Sequence, residues 1–103
     1  MDRVLSARKI SSEMAKLKLL YERVRGAHFK GIAIEVLIND LPKYYQSSNL
    51  ITTLMRLINL NPALLVNESA VSMSAQLISL CIEKEMVEVL IDRMVYDYPQ
   101  IFK

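Results

Sequence analysis

Between positions 4 and 25 the apolar residues Ala7, Ile10, Met14, Leu17, Tyr21 and Val24 recur at alternating steps of three and four. That spacing gathers side chains on one face of a helix, whereas a strand would need alternation every two residues. Lys9, Lys16 and Arg23 fall seven apart on a different row, so the spacing predicts an amphipathic helix with a basic outer face. Gly26 supplies its stop, because glycine adopts the positive φ at which helices commonly end.

The same helical spacing continues to the end of the chain. In a second helix over 29–41, Phe29, Ile32, Ala33, Ile34, Val36, Leu37, Ile38 and Leu41 leave Glu35, Asn39 and Asp40 for water. A helix apolar nearly all round is expected at the centre of the fold. Pro42 has no amide donor, so a break is expected near Leu41, with residues 43–47 as the connection. Ser48 or Asn49 then caps a third helix carrying Leu50, Ile51, Leu54, Met55, Leu57 and Ile58.

Asn61-Pro62 ends that helix and predicts one extra turn through Leu65, packed inward. Asn67 is the expected cap of a fourth helix running to about Lys84, with Glu68 at its positive end and Val66 stapled to Val71. A fifth helix over 85–97 turns Val87, Leu90, Ile91 and Met94 inward and Glu85, Glu88, Asp92 and Arg93 outward, and Tyr98-Pro99 stops it.

Strand signals are nearly absent: no Asn-Gly or Asp-Gly turn occurs. The expected class is all-α, a compact bundle of about five short helices in one domain over 1–103, with a basic first helix at 4–25 and a four-helix body at 29–98. Residues 70–97 resemble a helical hairpin of the tetratricopeptide kind in general pattern, which makes α-solenoid-like hairpins the alternative arrangement. The small and aromatic signature positions of such repeats are missing.

The residue inventory excludes several chemistries. One Cys and one His supply half of the four N or S ligands of a structural zinc site, and two glycines cannot build a phosphate-cradling loop. Cys81 lies between Leu80 and Ile82, where a thiolate is costly, so it reads as a buried structural thiol. Glu85, Glu88 and Asp92 share a helix face, but no second Glu and His pair is placed to complete a di-metal centre. No catalytic residue, cofactor or metal is expected. No apolar run approaches the roughly 18 residues of a membrane span. No secretory h-region opens the chain, and an intracellular location, cytoplasmic or nuclear, is expected.

The net charge of +2 hides an asymmetry. Residues 1–30 carry eight Lys or Arg against three acids, while the remainder carries five against eight. With 52% hydrophobic residues on short helices, the chain either buries very efficiently or exposes an apolar groove. The expected role is therefore a non-catalytic interaction domain, an adaptor or scaffold that binds a partner's amphipathic helix or self-associates. Tyr44 and Tyr45, beside Pro42, and Met55 are the expected contact residues, since tyrosine suits interface hot spots and methionine adapts to a groove. The alternative is a small nucleic-acid-binding protein that meets phosphates through Lys9, Lys16 and Arg23.

Overall fold

The computed structural model describes residues 15–102, so Lys9 and the seam positions Ala7, Ile10 and Met14 lie outside the described residues. Residues 15–24 form helix α1. There follow strands β1 (His28–Phe29) and β2 (Ile32–Ala33), helices α2 (Ile34–Tyr44) and α3 (Ser48–Leu57), a 3-10 turn (Pro62–Leu64), and helices α4 (Ala70–Glu83) and α5 (Val87–Asp97). Apart from the small antiparallel hairpin the described chain is all-α.

The core takes its side chains from all five helices: Leu20 and Val24 from α1, Leu37 and Leu41 from α2, Leu54 and Met55 from α3, Leu77 and Ile78 from α4, Leu90 and Met94 from α5. The central helix is α4, which packs against α2, α3 and α5 and buries seven of its residues. This corrects the expectation that the second helix takes that place, for α2 buries four of its residues where α4 buries seven. Two serines sit inside that cover, and neither is left unsatisfied: Ser74 Oγ donates to the Ala70 carbonyl at 2.7 Å and Ser72 Oγ donates to the Glu68 carboxylate. Consecutive α2 and α3 both lean on α4 more than on each other, which is bundle packing and not the stacking of solenoid hairpins.

Several boundaries differ from the sequence expectation, each for a local reason. Residues 28–33 are a hairpin because Lys30 and Gly31 both adopt positive φ, 55° and 76°, the conformation of a tight turn that matches the strand twist. The hairpin pairs His28 with Ala33 and Phe29 with Ile32, so α2 starts only at Ile34. Pro42 does not break α2. It sits in the last turn, where one lost amide is tolerable, and the helix closes when Tyr45 N donates to the Leu41 carbonyl at 2.8 Å. Ser47, not Ser48 or Asn49, caps α3 by accepting from Leu50 N at 3.3 Å.

Asn61 caps the 3-10 turn as expected, accepting from Ala63 N at 3.0 Å, but Leu64 points outward at 53% exposure. The fourth helix starts at Ala70 with Ser69 as its cap, two residues after Asn67, and Val66 and Val71 remain exposed.

Helices α3 and α4 end in the same hydrogen-bonded motif. Leu60 N reaches the Met55 carbonyl at 2.8 Å and Met86 N reaches that of Cys81 at 2.7 Å, with Asn59 and Glu85 at positive φ between. Asparagine tolerates that conformation; glutamate is strained in it. Glu85→Gly is therefore expected to raise stability by about 0.5–1 kcal/mol in denaturant titration, as the lost strain outweighs the entropy of the new glycine. Ser69→Ala is expected to cost about 1 kcal/mol and Asn67→Ala less than about 0.5 kcal/mol. The reverse order in the same titration would return the helix start to Asn67.

Candidate functional site

The aromatic cluster predicted as the contact site is part of the core's seal. Tyr45 is 4% exposed, its hydroxyl donates to Asp97 Oδ2 at 3.0 Å, and its ring meets that of Tyr98 edge-on at 5.4 Å. Tyr44 is half-buried and also packs on Tyr98, with ring centroids 4.9 Å apart. Met55 is 0% exposed. Tyr45 and Met55 therefore offer no surface to a partner, which corrects the sequence expectation. Pro42 leaves the helix intact, so Tyr45 stays on the inward face with Leu37, Ile38 and Leu41.

One surface that the fold leaves apolar lies along α1. Residues 16, 19, 20 and 23 fall on one face of that helix, and across from them stand the 3-10 turn and α4. Leu20 and Ala75 floor the concavity between these walls, Leu65 and Leu80 line it, and Leu19 and Leu64 rise from its edges at 65% and 53% exposure. Its volume is about 400 Å³. Lys16 and Arg23 stand on the α1 wall and Glu83 on the α4 wall.

Two polar devices hold the walls apart at this spacing. Lys16 Nζ donates to both Glu68 oxygens, at 2.9 and 3.0 Å, and ties α1 to the segment before α4. Gln76 clamps the backbone beyond the 3-10 turn: its Oε1 accepts from Val66 N at 2.8 Å and its Nε2 donates to the Val66 carbonyl at 3.1 Å. That pair of hydrogen bonds anchors the chain just beyond Leu64 and Leu65. Arg23 is exposed and has no ion-pair partner among the described residues.

A second hollow of about 860 Å³ lies on the other side of α1, against α2. It is larger and its lining is also mostly apolar, but Lys18 and Arg25 are balanced there by Glu22 and Glu35, so it offers no net positive charge to a guest that carries carboxylates. Its apolar wall is closed by Tyr21, whose hydroxyl donates to Asn39 Oδ1. Burial first, and then the charge of Glu35, raise the pKa of that phenol, and the Asn39 bond lowers it in part.

Of the predicted residues, the groove brings together Lys16 and Arg23. It adds Leu19, Leu64 and Gln76, which sequence reasoning missed. Leu19 carries the one available signal, a leucine off the buried seam and on the basic row. The remaining reactive groups differ in exposure. Cys81 is fully buried and burial pushes its thiol up to about 12, while His28 is exposed, with Nδ1 2.9 Å from the Gly26 carbonyl oxygen. Among the described residues no three His, Cys, Asp or Glu side chains converge to hold a metal ion, and no helix is long and apolar enough to cross a membrane. Comparison with protein-family models, curated proteins and solved structures finds no match to this chain.

Two outcomes follow from this placement. Tyr45→Phe is expected to lower unfolding free energy by about 1.5 kcal/mol, the size of a hydrogen bond to a charged group, and Tyr45→Ala by about 3–5 kcal/mol, the size of a lost core aromatic. A neutral-pH alkylating reagent is expected to leave Cys81 unmodified in the folded chain and to label it once denaturant is added, with the mass of the product as readout.

Proposed function

We propose that this chain is a non-catalytic interaction domain whose α1/α4 groove receives an amphipathic helix that carries carboxylates beside its apolar row. The observation that supports this most is the coincidence of two features on one face of α1. Exposed Leu19 lies between Lys16 and Arg23, so the apolar patch and the basic row expected of two different functions belong to one surface. An apolar row seated between such walls removes leucine surface from water, and a flanking carboxylate meets Arg23. The groove is preformed, since Lys16–Glu68 and Gln76–Val66 fix its walls before any partner arrives.

The same coincidence weighs against the nucleic-acid reading. Lys16 is already engaged by Glu68, which leaves Arg23 as the one unpaired cation among the described residues that line the groove, fewer than the several phosphate contacts a nucleic-acid interface uses. A non-catalytic role is favoured by the protonated, buried thiol and by the exposed position of His28, far from it in the chain.

The test uses a synthetic helical peptide with leucines at i, i+3 and i+7 flanked by glutamates, and a twin with lysines in their place, titrated by fluorescence anisotropy. The glutamate peptide is expected to bind and the lysine twin to bind at least about tenfold more weakly. Leu19→Asp, Leu64→Asp and Arg23→Glu, all at exposed positions, are each expected to weaken binding by more than about 1 kcal/mol with the circular dichroism spectrum unchanged. Equal affinity of the two peptides, or indifference to all three substitutions, contradicts the reading. Binding to a DNA or RNA duplex that falls roughly a hundredfold or more between 50 and 200 mM salt supports the alternative instead.

A further inference from the structure

Helix α5 carries two amphipathic faces. Val87, Leu90, Ile91 and Met94 are buried in the core, and away from them Val89, Val95 and Tyr96 stand exposed at 45%, 39% and 75%. Glu88 and Asp92 lie among them, also exposed. Val89 and Tyr96 are seven residues apart on one row, about 10.5 Å along the helix, which is the separation of Lys16 and Arg23 on α1. Tyr96 is braced by its neighbour: the Arg93 guanidinium lies 4.7 Å from its ring centroid while also pairing with Asp97 at 3.0 Å. A braced, exposed tyrosine beside carboxylates has the chemistry that the α1/α4 groove is suited to receive.

We infer that the occupant of the groove is α5 of a second copy of this chain, with the Glu88 and Asp92 edge facing Arg23 and with Val89 and Tyr96 against Leu19 and Leu64. This rests on the groove reading above. Charge complementarity carries it. Among the described residues neither Arg23 nor Glu88 is in an ion pair, while Lys30 at the tip of the hairpin holds Asp92 at 2.6 Å in an exposed pair and its charge also reaches Glu88. On the α1 wall of the groove both charged residues, Lys16 and Arg23, are basic, whereas residues 85–97 bear four acids and one basic side chain. Groove and α5 are different surfaces of one molecule, so the contact is head-to-tail and extends from copy to copy instead of closing in a pair by twofold symmetry. The interaction weakens as salt screens the Arg23 and Glu88 charges, more gently than phosphate binding would.

The experiment is light scattering of the full chain over a wide concentration range, with charge reversals on each side. The mean mass is expected to rise with concentration beyond that of a dimer. Arg23→Glu alone and Glu88→Arg alone are each expected to raise the concentration of half-association at least about tenfold, because each places like charges in contact. An equimolar mixture of the two variants is expected to recover association, since each junction can then join opposite charges. One kind of junction pairs the two introduced side chains, and the other pairs the native Arg23 of one variant with the native Glu88 of the other. Recovery in the mixture cannot arise from loss of folding in either variant. A chain that stays monomeric at every concentration yet still binds the glutamate peptide overturns this inference and leaves the groove reading standing. A chain that does neither overturns both. Association unchanged by either reversal also overturns it, by placing the contact elsewhere on the surface.

Discussion

Everything in this fold depends on α4 having almost no face it can show to water. Of its residues, Ser72, Met73, Ser74, Ala75, Leu77, Ile78 and Cys81 are buried, on more than one side of the helix. Such a helix is stable only when others cover it from several directions, and α2, α3 and α5 do so. The serines on it are admitted because each finds an acceptor one turn back, in the Ala70 carbonyl and the Glu68 carboxylate. The Glu68 carboxylate in turn holds Lys16, so the polar satisfaction of the central helix and the attachment of α1 are one network.

The groove is the remainder of that covering. α1 contributes Leu20 and Val24 to the core, but a helix of its narrow seam cannot close the whole side of α4, and the gap falls where Ala75 is small and where the 3-10 turn stands beside it. The turn is held there by Gln76, a residue whose polarity looks like an ordinary solvent stripe in the sequence and whose side chain instead bonds both polar groups of Val66. Apolar walls, a basic α1 face and fixed spacing thus arise from one packing arrangement.

Much of this is legible from spacing alone, because helical periodicity reports which side chains share a face whatever the tertiary context. The inward set Val87, Leu90, Ile91 and Met94, the stop at Gly26 and the Asn61 cap all stand where the sequence puts them. The hairpin at 28–33 is not legible, since Lys30 takes a positive φ that its identity does not announce and the strands are two residues each. Tyr45 escapes a local reading because Pro42 looks like a helix end and is not one; the continued turn carries that ring into the core, where burial and then the Asp97 hydrogen bond raise its pKa. The groove itself joins residues about fifty positions apart, Lys16 with Glu68 and Leu19 with Leu64, and no local pattern encodes that pairing.

The central claim is that the α1/α4 groove, and not the tyrosine cluster, is the face through which this chain meets another helix. Its most direct test is a residue-by-residue map of amide chemical shifts in an isotope-labelled chain as the glutamate-flanked leucine peptide is added. The account predicts that the largest shifts fall on Leu19, Arg23, Leu64, Leu65 and Leu80, with Tyr44 and Tyr45 nearly unmoved. Shifts centred on Tyr44, Tyr45 and Tyr98, or spread without regard to the groove, would contradict it.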